Sequence, residues 1–296
     1  WGQDLSKEGS LPVLGGKRVY KIISCDSVKY FYSNTDQPFS HYNENPIDHI
    51  CDGCGEVISE CDYDENGFCS VCNAFEPAID SDFDGCYEIS NAGQLFWFAQ
   101  QVNEIGNREI KGVLTDDIDL ENRPWTPIGT TGENNNNFRG VFNGQGHTIR
   151  GLNVTGTKNG IGFFGEVRTG TVENFTIYGE VIVPGKYTYA GGVIGSTCGL
   201  NGENDLERNG ATIRNIKSFV NLTLNAHGVG RVGGFVGYAN HETLIENCEW
   251  YGTFDLGGYR AEAGVAGFLG RVQENSEVTI RNRYKELSEQ LDDLVV

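Results

Sequence analysis

The feature that most constrains this chain is a four-residue unit, Gly-apolar-apolar-Gly, that occurs four times in the second half. It reads Gly162-Phe163-Phe164-Gly165, Gly192-Val193-Ile194-Gly195, Gly234-Phe235-Val236-Gly237 and Gly267-Phe268-Leu269-Gly270. Each copy is followed by a short apolar or β-branched stretch that ends in Asn, at Asn174, Asn215, Asn247 and Asn282. From each of the first three Asn residues to the next unit the distances are 18, 19 and 20 residues; from unit to Asn they are 12, 23, 13 and 15. One half of the repeat is therefore nearly constant, and the other absorbs an insertion over roughly Cys198–Gly210. Stacked strands must match their neighbours' length, whereas corner loops need not, so this pattern predicts a stacked coil of strands.

The stretch after each Asn alternates. Phe175 and Ile177 align with Ile216 and Ser218 and with Cys248 and Trp250, while Thr176, Lys217 and Glu249 fall between them. A period of two marks a strand with one buried face. Asn at a recurring bend tolerates a left-handed backbone, and its amide can bond the next strand. The 41 Gly residues fit many tight corners,. Gly, Val, Ile and Thr in this density exclude a helical solenoid, whereas an antiparallel meander or sandwich stays open and is less favoured. A parallel coil has two open ends that need covering. Ser90 to Val102, with good N-cap residues, predicts a capping helix over about 90–103. Tyr284, Leu287, Leu291 and Leu294 predict a second over about 283–295,.

The four units with their Asn-terminated stretches resemble GLUG repeats of bacterial surface proteins. Upstream, Ile89–Leu95, Leu114–Leu120, Trp125–Gly129 and Phe138–Ile149 are similar to the segments that lead into that coil, so the resemblance covers roughly residues 86–282. It implies an all-β, right-handed parallel β-helix on large extracellular proteins of Gram-positive, often gut-dwelling, bacteria. It implies no activity, with adhesion as the customary role. Trp1-Gly2-Gln3-Asp4 and Leu11-Pro12-Val13-Leu14 look like the closing segment of a preceding module of the same kind. The expected organisation is a module tail and linker strands over 1–45, a zinc-ribbon-like segment over 46–78, and the coil over 79–296.

Cys51-Asp52-Gly53-Cys54 and Cys69-Ser70-Val71-Cys72 form two C-x2-C knuckles separated by 14 residues. This is the spacing of a structural zinc ribbon, with Cys51, Cys54, Cys69 and Cys72 as ligands. So short a segment, with few apolar groups, needs such a staple. Disulfides are the competing reading for an exported protein. His49 and Cys61 lie nearby and could replace a ligand, although four knuckle cysteines leave no vacancy for catalysis. Two Asp-rich loops, Asp62–Gly67 and Asp80–Gly85, match the first half of a calcium loop,. Asn73 and Asn91 stand where a bidentate Glu belongs,. Calcium on Asp80, Asp82 and Asp84 is therefore the secondary reading, and polar turns the primary one.

The net charge of −19 argues against a nucleic-acid partner,. No run of eighteen apolar residues predicts membrane insertion,. The five His residues are scattered and no nucleophile motif accompanies them, so the chain is expected not to be an enzyme,. The alternative is a polysaccharide lyase or hydrolase on a β-helix. Tyr187, Tyr189, Tyr238, Tyr251 and Tyr259 are candidate ligand-binding aromatics for a host or bacterial surface glycan or protein,. The expected role is adhesion, ligand binding or spacing within an extracellular, cell-surface or cell-wall protein.

Overall fold

The structure is a computed structural model. It describes residues 19–21, 30–32, 49, 60–129, 136–155, 160–183, 189–197, 209–225, 231–240, 242–255, 265–272, 278–281 and 284–285. The chain divides into two compact units, residues 1–75 and 76–296. In the first, the short strands Val19–Lys21 and Tyr30–Tyr32 pair antiparallel. Farther along, Tyr63 bridges Cys69 and Phe68 bridges Phe75, which closes a tight loop.

Among its described residues the second unit is strand and turn apart from one helical stretch near its start, and its sheets are parallel. The largest contains Cys86–Ile89, Lys111–Leu114, Val141–Asn143, Thr171–Val183, Asn209–Leu224, Glu242–Glu246 and Val278–Arg281 as successive neighbours. A second sheet orders Phe164–Glu166, Ile194–Ser196, Val236–Ala239 and Leu269–Val272; a third orders Tyr189–Gly191, Arg231–Gly233 and Val265–Ala266. Each strand's neighbour is the equivalent strand of the next repeat. Thus Phe164, Ile194, Val236 and Leu269, the second apolar residue of each Gly-apolar-apolar-Gly unit, stand in one register row. Phe175 pairs with Ile216 and Ile177 with Ser218, which in turn pairs with Trp250, as the period of two predicts.

The repeated Asn residues take the left-handed bend, with φ of 61° at Asn174, 56° at Asn215 and 52° at Asn247. Their amides form a unidirectional ladder: Asn247 Nδ2 donates to Asn215 Oδ1 at 3.0 Å, Asn215 to Asn174 at 2.7 Å, and Asn174 to Asn143 at 3.1 Å. The short polar side chain tolerates positive φ and supplies a bond to the neighbouring strand at the same time. Gly237, the last residue of its unit, has a different reason to recur: a Cβ there would lie 2.5 Å from the Ala190 carbonyl oxygen and 2.6 Å from the Ala190 nitrogen. Backbone approaches backbone too closely for any side chain.

Between the sheets lies an aromatic core. Phe142 has ring centroids of Phe163, Phe164 and Phe175 at 5.7, 5.6 and 5.7 Å, all edge-on, and Phe235 stacks on Phe268 at 5.0 Å. These rings are fully or almost fully buried. The helix Ala92–Gln100 inserts Phe98 against Phe138 and Phe142 and buries Leu95 and Ala99. Asn91 is its N-cap, with Oδ1 accepting from Gln94 N–H at 2.9 Å, and Gln94 Oε1 returns the contact to Ser90 N–H at 2.8 Å. This reciprocal pair secures two otherwise unbonded donors. The helix continues as a π-turn over Gln101–Ile105 and stops at Gly106, φ 80°. At the other end, Tyr284–Lys285 is a strand paired with Glu249–Trp250 rather than the start of a helix. The rest of the helix expected over 283–295 lies outside the described residues.

Candidate functional site

Three sulfurs and an imidazole converge in the first unit. One ligand atom each from His49, Cys61, Cys69 and Cys72 lies within 4.8 Å of the others. His49 Nε2 stands 3.0 Å from Cys69 Sγ, and Cys61 Sγ stands 3.6 Å from Cys72 Sγ. The latter separation far exceeds a disulfide bond of about 2.05 Å. It is close to the sulfur–sulfur edge of about 3.8 Å in a tetrahedron with 2.3 Å zinc–sulfur bonds. The His49 contact is shorter than such an edge and would open slightly around an ion. The loop that brings Cys69 and Cys72 together is fixed by Asp64, whose Oδ1 accepts from Asn66 and Phe68 N–H at 3.0 Å each. Asn73, φ 55°, then turns the chain so that its N–H reaches the Cys69 carbonyl. The N–H of Cys72 and the His49 ring hold the Cys69 thiol down to about 6, whereas desolvation raises that of Cys72. A thiol already poised to lose its proton is what a metal requires.

The arrangement can hold a metal ion. Of the expected ligands it contains Cys69 and Cys72, and His49 and Cys61, which the sequence marks as neighbours able to replace a ligand, stand with them; Cys51 and Cys54 lie outside the described residues. Cys61 was legible as a third thiol inside the segment, but only the fold shows that it faces Cys72. Cys248 is a buried thiol in the second unit, pushed up to about 12 by burial, and is a core residue as its inward position predicts.

Asp80, Asp82 and Asp84 also come within 4.8 Å of one another. Turn bonds account for them: Gly85 N–H donates to Asp80 Oδ2 at 3.0 Å, Asp84 N–H to Asp82 Oδ1 at 3.2 Å and Cys86 N–H to Asp84 Oδ1 at 2.7 Å. Asn91, at the twelfth loop position, is already engaged as the helix cap and donates to Glu76 at 2.6 Å.

The tyrosines separate into two groups. Tyr189 and Tyr238 stack at 4.8 Å and 12°, with the Arg231 guanidinium 5.0 and 4.8 Å from the two ring centres and bonded to Tyr189 Oη at 2.6 Å. Tyr238 is only 4% exposed. Tyr251 stacks on Phe219 at 4.9 Å, Phe219 on Tyr178 at 4.6 Å, and Arg150 covers Tyr178 at 4.9 Å. Rings stacked face to face along a ladder leave edges rather than faces for a ligand. Tyr187 and Tyr259 lie outside the described residues. Tyr178 and Phe219 were missed in the sequence, although extending the alignment of 177, 218 and 250 by one residue reveals them.

The outward face of the largest sheet therefore carries three columns: the Asn ladder, then Thr176, Lys217 and Glu249 in register, then the aromatic ladder. Lys217 Nζ lies 3.6 Å from Glu249. A groove of about 620 Å³ runs along the first two columns, lined by Asn143, Gln145, Asn174, Thr176, Asn215 and Lys217 among others. Elsewhere, Glu166 is fully buried and neither of its carboxylate oxygens has a hydrogen-bond partner. Desolvation pushes its carboxyl up to about 8, against the opposing pull of Arg168 and Arg139. Nothing in the sequence pattern marked it. Asp117, by contrast, is held below the usual carboxylate range by the Thr148 N–H, which it accepts at 2.9 Å.

No family model matches the chain, and no curated protein matches it. Its fold is similar to that of a crystal structure from Bacteroides ovatus described as a candidate immunoglobulin A1 protease, with 18% identity over 77% of this chain and 74% of that one, at a TM-score of 0.51. At that identity the likeness concerns fold alone. Among the described residues, no helix is long and apolar enough to cross a membrane.

Proposed function

We propose that this chain is a non-enzymatic extracellular binding module of a bacterial surface protein, built as a right-handed parallel β-helix behind a zinc-stapled segment. The observation that carries this reading is the outward face of the largest sheet. There, strand register locks amide, charged and aromatic side chains into columns, giving a rigid recognition surface. The resemblance of the repeats to GLUG modules supports an adhesive or spacing role, with a host or bacterial surface glycan or protein as partner. The sheets of successive repeats follow one another in parallel register, as the turns of a β-helix do. Zinc fits the donor set of His49 and three cysteines, and four protein ligands make the ion structural rather than catalytic,.

Purified protein incubated with plant and microbial polysaccharides and with immunoglobulin A1 is expected to leave all of them intact. Release of reducing ends or of immunoglobulin fragments, scaling with protein concentration, would show an enzyme instead.

A further inference from the structure

We infer that the groove over the Asn ladder is a binding site for an extended, neutral polysaccharide chain. This deepens the binding-module reading and rests on it. The ladder runs in one direction, so each of Asn174 and Asn215 gives one N–H to its neighbour and receives one. Each amide keeps a second N–H and a second oxygen lone pair. Asn143 accepts from Gln145 N–H and from Asn174, and its own amide hydrogens remain for a ligand. Amides chained in this way polarise one another, which strengthens the remaining donors and acceptors. Thr176 adds a hydroxyl at the next outward position.

Paired donors and acceptors repeated in a row suit hydroxyl groups, which also give and receive. Neighbouring strands repeat at about 4.8 Å, close to the advance of one hexose in an extended chain. The ligand would thus lie along the column, across the strands, with successive sugars meeting successive amides. The volume of about 620 Å³ falls within the range of ligand clefts,. Charge selects against acidic glycans. The chain carries −19 overall, and Lys217, the cation at the groove, already shares Glu249 at 3.6 Å,. In the neighbouring aromatic ladder Phe219 lies between Tyr178 and Tyr251, and Arg150 covers Tyr178, so recognition at the groove runs through hydrogen bonds rather than ring stacking.

The test is native affinity electrophoresis of the full chain in gels containing hydroxyethylcellulose, a neutral extended polysaccharide, or polygalacturonate, an acidic one. The comparison protein carries Asn215→Gly and Thr176→Ala; glycine keeps the left-handed backbone, and a thermal melt confirms that the variant is folded. Retardation by hydroxyethylcellulose, weakened about tenfold in the variant and absent with polygalacturonate, is the expected result. No retardation by the neutral polymer, or retardation by polygalacturonate alone, would overturn the ligand class. Equal retardation of both proteins would move the ligand off the groove while leaving the binding-module reading in place. Release of reducing ends from hydroxyethylcellulose would instead overturn that reading.

Discussion

Residues 60–75 and the strand Thr171–Val183 are comparable in length, yet different forces order them. Along the strand, Val172, Phe175, Ile177, Val181 and Val183 are buried, and nearly every residue from Thr171 to Val183 pairs with Asn209–Leu224. Burial of this kind contributes about 1.5–3 kcal/mol per large side chain. Among residues 60–75, Phe68 and Cys69 are the buried apolar groups, and the order comes from Asx turns and from thiols that face one another. One region is held by what it removes from water; in the other, turn bonds and a Cys/His cluster that can hold a metal ion stand in place of a core. A short polar segment reaches a single conformation only when a few strong bonds replace a core.

The largest effect separating the two should come from the metal. Cys69→Ser, or a strong chelator, should abolish stoichiometric zinc in elemental analysis, because a structural zinc site supplies roughly 10 kcal/mol or more at neutral pH. The parallel-sheet unit should keep its far-ultraviolet signal and melting temperature. The reverse experiment is Phe163→Ala, which empties a site surrounded by Trp125, Phe142, Phe164 and Phe175. It should cost about 3–5 kcal/mol in denaturant unfolding of the sheet unit and leave zinc content unchanged.

Much of this division was legible in the sequence. The Gly-apolar-apolar-Gly units, the Asn bends and the alternation around Phe175, Ile216 and Cys248 carry local signals at fixed spacing, and the sheet register reproduces them. The helix start was legible in the N-cap residues at Ser90 and Asn91, and Asn91 is the cap; the return bond from Gln94 came only with the structure. In the Cys/His cluster, Cys69 and Cys72 announce themselves by their spacing and His49 and Cys61 were visible as neighbours, but that these four converge depends on the path of the loop. Glu166 was invisible because nothing local separates a buried carboxylate from an exposed one; its burial depends on partners far along the chain. The helix expected from Tyr284 failed at its first residues, where pairing with Glu249–Trp250 overrides a helical apolar spacing,.

Glu166 offers a smaller, pH-resolved contrast within the sheet unit. Its folded-state value of about 8 lies above the ordinary 4.5, so the folded protein holds a proton that the unfolded chain releases. The stability linked to that proton is fully present below about pH 4.5 and is lost as pH rises towards about 8,. Glu166→Gln should therefore change little at pH 4 and stabilise the protein by on the order of 3 kcal/mol at pH 8, read as melting curves across that range. A stabilisation independent of pH would contradict the assignment.

The smallest effect belongs to the Asn ladder. Asn215→Ala should cost about 1–2 kcal/mol, combining a lost hydrogen bond with strain at positive φ. Asn215→Gly, free of that strain, should cost less, and the difference between the two in urea titrations measures the bend itself.

The contrast between the two regions is tested most directly by amide hydrogen exchange with and without a zinc chelator. Residues 60–75 should lose their protection when zinc is removed, while Thr171–Val183 and Asn209–Leu224 exchange as before. Unchanged protection over 60–75 would contradict a metal-held segment, and loss of protection in both regions would contradict their separate sources of order.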